Sequence, residues 1–439
     1  MKRAVVMLAA LSVVCMAGGA QAADLLDIYH DALVSDAKLA SARMLLEASR
    51  EKYPQARAGL LPVLTLSGSS TYTSLSMSLP SDRRQGFNTN SYTLQLTQPL
   101  FRWQNWVAYK QGELQVNLAE AQFASAQMDL IQRTAQAYFD LLNAQEVLKA
   151  DTLLKTAANE QLQLSKKSFE VGTVTVTDVN DAQSRFDLAS AQEIAAQNDV
   201  NVKREALRVL INKEPPQLAP IRPNMSLALP EPADPAAWAN VATTNNFDVQ
   251  AQMLTQQIAA REVERSRAAH LPTVDAVGSY TNYHAGATNT STTEYRYHNW
   301  QVGVQASLPL YQGGGTQSKV RESVALNEKA KDDLDTVQRT AAQAARQAYL
   351  GVTSGAAQVK GYEAAFVSST SALESNKLGY RVGVKINMDV LNAQSQLATT
   401  SQQLAKARYD TIMYQIKLKQ AVGSLTVKDV EEINALLEH

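Results

Sequence analysis

Two short acidic segments hold the side chains of this 439-residue chain that are best placed for binding chemistry. Asp178 and Asp181 lie in the first segment, and Asp389 and Asn392 lie in the second, 211 positions further along. Residues three apart on a helix project from the same side, so each pair would act together. Clustered carboxylates favour cations. Aspartates at a helix start can instead cap the helix or remain solvated, and from the residues alone we favour this second interpretation.

The sequence lacks the spacing that common catalytic and metal sites require. None of its five histidines has metal-ligand spacing, and no nucleophile elbow is present. Gly313-Gly314-Gly315 lacks the lysine and serine of a phosphate-binding loop. We therefore expect no enzymatic activity, no cofactor and no metal site.

The first 22 residues are typical of a secretory signal. Met1-Lys2-Arg3 precedes an apolar run from Ala4 to Val14, and Ala20-Gln21-Ala22 supplies the small residues that signal peptidase accepts. The only cysteine, Cys15, lies in this segment, so the exported chain is expected to have no disulfide. With 41 basic and 42 acidic residues, the chain has no basic excess that would indicate a nucleic-acid partner.

The rest of the chain contains two copies of one unit. Motifs of the first half recur 210 or 211 positions later. The matched pairs include Leu61-Pro62 with Leu271-Pro272, Pro99-Leu100-Phe101 with Pro309-Leu310-Tyr311, and Phe169-Glu170-Val171-Gly172 with Tyr380-Arg381-Val382-Gly383. A segment with seven prolines separates the copies and is typical of an extended linker. The expected organisation is a signal peptide at 1–22, repeat 1 at 23–211, the linker at 212–235, repeat 2 at 236–425 and a C-terminal segment at 426–439.

Each copy contains two segments in which apolar and polar residues alternate, as in a strand with one apolar face. The clearer segments are Ser91 to Gln98 and Asn299 to Leu308. They predict one β-hairpin per copy, at about 60–100 and 272–310. Strands of about ten residues suit a tilted membrane-spanning strand. Aromatic residues such as Trp103 flank the strands, as they do at membrane interfaces, although aromatic residues favour strands anywhere.

A helical stretch precedes each hairpin, at 24–58 and 235–269, and a much longer one follows it. From Arg102 to Ser168 there is no proline and one glycine, so a continuous helix there would be about 100 Å long. Leu397, Thr400, Leu404 and Ala407 alternate steps of three and four, which predicts a coiled coil with a seam of many small residues. The other faces are rich in polar residues and indicate contact with water.

Four strands cannot close a barrel, and an open sheet edge in a bilayer costs several kcal/mol for each unpaired backbone group. The strands must therefore be shared among chains, and three chains would supply twelve. The long helices would continue from this barrel as a helical cylinder around a water-filled lumen. The alternative is a soluble periplasmic coiled-coil adaptor or structural rod. It explains the heptads and the export signal but not the strands between helices in both copies.

Taken together, these features resemble the TolC family of outer-membrane efflux and secretion channels. The likeness rests on the doubled LP…PLF/PLY hairpin boundaries, on Tyr311-Gln312-Gly313-Gly314 and on the doubled V-G-x5-D-V turn. It implies a fold of mixed α and transmembrane β structure, in which a homotrimer forms a twelve-stranded outer-membrane β-barrel continued by a long periplasmic α-helical barrel, with two internal repeats per chain.

The resemblance also implies the function and the partners. It indicates an exit duct of a tripartite efflux or type I secretion system in a Gram-negative outer membrane, passing small toxic molecules or proteins from an inner-membrane transporter. A periplasmic adaptor and outer-membrane lipid would be further partners. The turns Val171-Gly172-Thr173 and Val382-Gly383-Val384 would form the periplasmic tip that receives the adaptor. A glycine turn between two helices is equally what a purely structural reversal requires.

The family likeness reverses the interpretation of the acidic segments. Asp178, Asp181, Asp389 and Asn392 would lie at the periplasmic entrance of the channel, with nine carboxylates in a trimer that favour cations and raise some of each other's pKa values. Family members usually carry aspartate where this chain has Asn392.

A latch is also implied by the likeness. Tyr380 and Lys385 would hold the entrance shut, with Thr177 and Asp178 as their acceptors. Lys385 replaces the more common arginine, so a planar bidentate clamp is lost and a looser closed state is expected.

Overall fold

The computed structural model describes residues 22–78, 83–222, 228–287 and 293–438, so the expected signal peptide lies outside the described residues except for Ala22. Helices, a hairpin and two long helices follow one another in each half of the chain. In chain order the elements are α1 (Leu25–Ser35), α2 (Ala37–Arg50), α3 (Lys52–Ala58), β1 (Val63–Met77), β2 (Arg83–Phe101), α4 (Trp103–Glu170), α5 (Val176–Ile211), α6 (Pro235–Asn245), α7 (Phe247–Ala268), β3 (Thr273–Ala285), β4 (Tyr295–Ser307), α8 (Gly315–Arg381), α9 (Asn387–Ala421) and α10 (Val427–Asn434).

The two hairpins form one antiparallel sheet in the order β1-β2-β3-β4. Leu94 of β2 lies opposite Tyr280 of β3, so the hairpins of the two repeats are direct neighbours. Apolar side chains pair along one face, for example Leu66 with Leu94 and Tyr280 with Trp300. Within the described residues, the outer edges of β1 and β4 have no partner strand in the chain. This sheet is the open segment that a barrel shared among chains requires.

The strands are longer than the ten residues expected from the alternating pattern, and they contain 13 to 19 residues. β2 begins at Arg83, although its apolar alternation begins only near Ser91. In the part of β2 before Ser91, polar residues still pair with β1, as Thr89 does with Thr71. Main-chain hydrogen bonding does not depend on apolar side chains, so the sheet continues past its apolar band.

Two long helices follow each hairpin. α4 has 68 residues and α5 has 36, and their counterparts α8 and α9 have 67 and 35. Small residues let α8 and α9 approach closely, because a Cβ placed on Gly355 would lie 3.2 Å from the Cβ of Thr411. No helix within the described ranges combines the length and the apolar character needed to cross a bilayer.

Each helical stretch before a hairpin is broken where the sequence predicted one helix. Asp36 separates α1 from α2, and its Oδ1 accepts a hydrogen bond from the Leu39 N–H at 2.7 Å. Asn246, 210 positions later, caps α7 by accepting from the Asp248 N–H at 2.9 Å. These side chains satisfy free N–H groups of a new helix start. Arg133 of α4 also donates to both carboxylate oxygens of Asp36, at 2.9 and 3.1 Å, and fixes the first break against α4.

The main apolar core lies midway along α4, where α1, α2, α9 and α10 pack around it. Tyr138, Phe139 and Ile412 are at most 1% exposed. The Tyr138 ring meets Phe139 edge-on at a centroid distance of 5.4 Å, and its hydroxyl donates to the Ala219 carbonyl at 2.8 Å. Burial raises the pKa of this hydroxyl. The core therefore also holds a segment that lies between the repeats.

The proline-rich segment is not a free linker where the structure describes it. Ala219 is fully buried, and its N–H donates to the Ala23 carbonyl at 3.0 Å. Ile221 forms a bridge with Leu437 near the other end of the chain. Leu218 and Ala219 are buried between Pro216 and Pro220, so this part of the segment packs with both ends of the described chain onto the core, whereas Leu229 is 61% exposed.

Candidate functional site

The reversals between α4 and α5 and between α8 and α9 are built in the same way. Gly172 has φ 75° and Gly383 has φ 79°, in the left-handed region that glycine adopts without strain. The Thr173 N–H donates to the Ser168 carbonyl at 2.9 Å, and the Val384 N–H donates to the Gly379 carbonyl at 2.9 Å. These bonds satisfy carbonyls at the helix ends. One chain therefore presents two copies of the same tip.

Apolar side chains project into solvent at both reversals. Val171 is 75% exposed, Val382 is 65% exposed and Val384 is 79% exposed. Isolated exposed valines are ordinary, but here Val171 and Val382 occupy equivalent places in the two repeats, and Val384 adds a second exposed valine in repeat 2. Each tip therefore presents exposed apolar surface that none of the described residues covers.

Asp178 forms a capping box with Thr175 at the start of α5. The Thr175 N–H and hydroxyl donate to Asp178 Oδ2 at 2.9 and 2.7 Å, and the Asp178 N–H donates to the Thr175 hydroxyl at 3.3 Å. The hydrogen bond from the Thr175 hydroxyl lowers the pKa of this carboxyl most, and the hydrogen bond from the Thr175 N–H lowers it further. This direction holds for one chain, whereas the rise expected from crowding of like charges concerns the nine carboxylates of a trimer. Asp181 lies exposed on the next turn, and Thr177 is also exposed.

A polar groove between α8 and α9 brings together three of the predicted site residues, Lys385, Asp389 and Asn392. The Lys385 Nζ lies 3.5 Å from Asp389 Oδ2, and their side chains are 49% and 36% exposed. An ion pair this exposed contributes little to stability. The groove is completed by Ser368, Ser369, Ala372, Asn376, Ala393 and Gln396.

The latch contacts expected from the family resemblance are not formed within this chain. Among the described residues, no hydrogen bond or ion pair joins Tyr380 or Lys385 to Thr177 or Asp178. The reason is local: Asp178 bonds to its own helix start, and Lys385 pairs with Asp389 on the helix that follows it. Tyr380 is half-buried near the end of α8. The latch stays a prediction.

Two other contacts connect the first repeat with the second near the tips, and sequence reasoning missed both. The Asn387 Nδ2 donates to the Ser165 hydroxyl at 2.8 Å, and these residues are 8% and 1% exposed. Arg185 donates to Asn392 Oδ1 at 3.2 Å. The partners are more than 200 positions apart, so no helical spacing relates them. In the described ranges, no group of three acidic, histidine or cysteine side chains has the geometry to hold a metal ion.

Comparison with known proteins shows the family to which this chain belongs. The family model described as outer membrane efflux protein matches residues 28–213 and 238–424, one match in each repeat. The chain belongs to the outer membrane efflux protein family. It is 31% identical to the outer membrane protein TolC of Escherichia coli strain K12, over 100% of this chain and 90% of that protein. It is 32% identical to the alkaline protease secretion protein AprF of Pseudomonas aeruginosa, over 94% of this chain and 86% of that protein.

A solved structure shares the fold of this outer membrane efflux protein. The outer membrane channel CmeC of Campylobacter jejuni matches with a TM-score of 0.80 at 18% identity, over 94% of this chain and 90% of that one. The fold class predicted from the sequence is confirmed: two repeats contribute to a trimeric, twelve-stranded β-barrel that continues as a helical barrel. The protein is an outer-membrane exit channel that extends into the periplasm, and its family is one of channels. The alternative of a soluble adaptor or rod is not supported.

Proposed function

We propose that this channel is the exit duct of a tripartite efflux or type I secretion system, and that its two reversals bind a periplasmic adaptor. The observation that carries the proposal is the repeated tip, with Val171 and Val382 exposed at equivalent places and Val384 exposed two residues after Val382. Two tips per chain give six in a trimer, a ring of similar apolar surfaces. A partner that covers them would gain the transfer free energy of each valine, about 1.5 kcal/mol or more when fully buried.

The periplasmic entrance is the second part of the proposal. Asp178 and Asp181 lie in the first turns of α5, and Asp389 and Asn392 lie in the first turns of α9. They are therefore close to whatever opening the tips surround. The hydrogen bonds from Thr175 lower the pKa of Asp178 and so favour its ionised form. In a trimer these carboxylates would give the entrance a preference for cations. If Tyr380 and Lys385 contact Thr177 and Asp178 in the trimer, these contacts would favour the closed state.

The cargo follows from the partners of the duct and not from catalysis by the channel. The relative AprF is named for secretion of an alkaline protease. Exported protein is therefore a candidate cargo here, together with small toxic molecules, and an inner-membrane transporter would select between them. The channel itself would act as a passive conduit without enzymatic activity or cofactor.

The tip proposal is tested in a strain that lacks the gene and carries wild type or a tip variant. We expect Val382→Asp with Val384→Asp to restore neither drug resistance nor protein secretion, while the purified variant still forms channels in planar bilayers. Val34→Asp, at an 87% exposed valine of α1, is the matched control and should restore export. Full export by the tip variant would contradict adaptor binding at the reversals.

A further inference from the structure

Arg185 makes the side-chain contacts that join α5 to α9 near the entrance. Its Nη2 lies 3.2 Å from Asn392 Oδ1 and 3.9 Å from the Met388 sulfur. Within the described residues, no other side-chain hydrogen bond connects these two helices. Arg185 is half-buried and Asn392 is exposed. The contact therefore crosses from the first coiled coil to the second at the level of the predicted constriction.

The charged residues that the family resemblance assigns to the latch are occupied elsewhere. Lys385 pairs with Asp389 within the second coiled coil, at 3.5 Å. The Asp178 carboxylate accepts both of its hydrogen bonds from Thr175. Neither pair spans the two coiled coils, so neither resists their separation. The Arg185 contact does span them.

We propose that Arg185 helps to hold the two coiled coils together at the entrance of this channel, with Asn392 as its acceptor and in addition to the buried Asn387–Ser165 hydrogen bond. The proposal rests on the proposed function, because it takes the entrance to lie at the tips. It gives the side-chain amide of Asn392 a role, because the amide oxygen accepts a hydrogen bond from Arg185. Arg185 thereby acts on the open and closed populations of the channel and not on its assembly.

The chemistry of this pair predicts that the contact between Arg185 and Asn392 breaks readily. A guanidinium can bind a carboxylate through two parallel hydrogen bonds, whereas the amide oxygen here accepts one. A neutral acceptor also makes the contact less sensitive to salt than an ion pair would be. In a trimer the three Arg185 side chains add positive charge beside the carboxylates of the entrance.

The test is single-channel recording of purified trimers in planar bilayers. We expect Arg185→Ala to raise the ratio of open to closed time roughly two- to tenfold, the effect of losing one solvent-exposed hydrogen bond. Arg381→Ala is the matched control. Arg381 is exposed at the end of α8, with no hydrogen bond or ion pair among the described residues, so this variant removes the same charge without a contact. It should gate as wild type does.

A second variant separates the contact from the charge. Asn392→Asp should lower the open fraction, because a carboxylate can accept both donors of Arg185, and this effect should disappear in the Arg185→Ala background. Arg185→Gln, which keeps much of the side-chain volume, should gate as Arg185→Ala does. Circular dichroism and trimer mass establish that each variant is folded.

The outcomes distinguish this inference from the function on which it rests. If wild type conducts ions but Arg185→Ala gates as Arg381→Ala does, the proposed role of Arg185 is refuted and the proposed channel function stands. If Asn392→Asp lowers the open fraction equally without Arg185, the pairing is overturned. If wild-type trimers do not conduct, both proposals fail.

Discussion

Replacing Gly355 with alanine tests how closely α8 and α9 must pack to hold the second coiled coil. Gly355 is buried, and a Cβ there would lie 3.2 Å from the Thr411 Cβ and nearer still to its hydroxyl oxygen. Thr411 is fully buried, and its hydroxyl donates to the Ala407 carbonyl at 2.6 Å. Thr411 therefore has little room to move away, and the added methyl group would force the helices apart.

Two effects of opposite sign decide how much Gly355→Ala changes the free energy of unfolding. Glycine to alanine in a helix interior stabilises by about 1 kcal/mol through backbone entropy. Overpacking a buried contact costs about 1–3 kcal/mol. Gly361 lies on the same helix, and a Cβ there meets nothing within 4 Å in this chain, so Gly361→Ala should show the gain alone. We expect Gly355→Ala to be less stable than Gly361→Ala by about 1–3 kcal/mol.

The assay is thermal unfolding of each purified variant in one detergent, followed by far-ultraviolet circular dichroism. The expected order of melting temperature is Gly361→Ala highest, wild type next and Gly355→Ala lowest. Adding Thr411→Ala to Gly355→Ala should recover part of the loss, because it removes the hydroxyl and methyl groups that the new Cβ meets. Equal melting temperatures for Gly355→Ala and Gly361→Ala would refute the close contact.

Three further substitutions test the charges of the helical region. Asp36→Ala should cost about 2–4 kcal/mol by removing a helix cap and two hydrogen bonds from Arg133. The Arg133 hydrogen bond lowers the pKa of Asp36, so this contribution is full above the ordinary carboxyl pKa of about 3.9 and is lost below it. If the stability of the wild type falls no more steeply with decreasing pH than that of Asp36→Ala, this prediction is contradicted. Burial raises the pKa of Asp151 despite the hydrogen bond from Gln402, so ionisation above pH about 3.9 destabilises the fold. Asp151→Asn should therefore raise the melting temperature at pH 7 but not at pH 3, and a fall at pH 7 would count against it. Asp389→Ala should weaken block of the channel by a trivalent cation in planar bilayers, and undiminished block would remove this residue from the entrance.

The periodic features of the chain could be predicted from the sequence. Alternating residues indicated the strands around Leu94 and Trp300, and the absence of proline after Arg102 indicated the long helix α4. The helix breaks at Asp36 and Asn246 were missed, although both are good capping residues at the same place in the two repeats. A search for capping residues at the repeat spacing could have found them.

Contacts between distant parts of the chain could not be predicted in this way. Arg185 and Asn392 are 207 positions apart, and only the packing of α5 near α9 brings them together. Ala219 is buried beside Tyr138 of α4, which donates to its carbonyl from 81 positions away. Local patterns specify each element and its faces. They do not specify which side chains meet when the elements pack.

The most direct test of the account is the mass of the purified mature protein in detergent micelles, measured by native mass spectrometry, together with its behaviour when detergent is removed. The sheet with two unpaired edges predicts a complex of three copies that aggregates without detergent. A folded, monodisperse single copy in detergent-free buffer would contradict it.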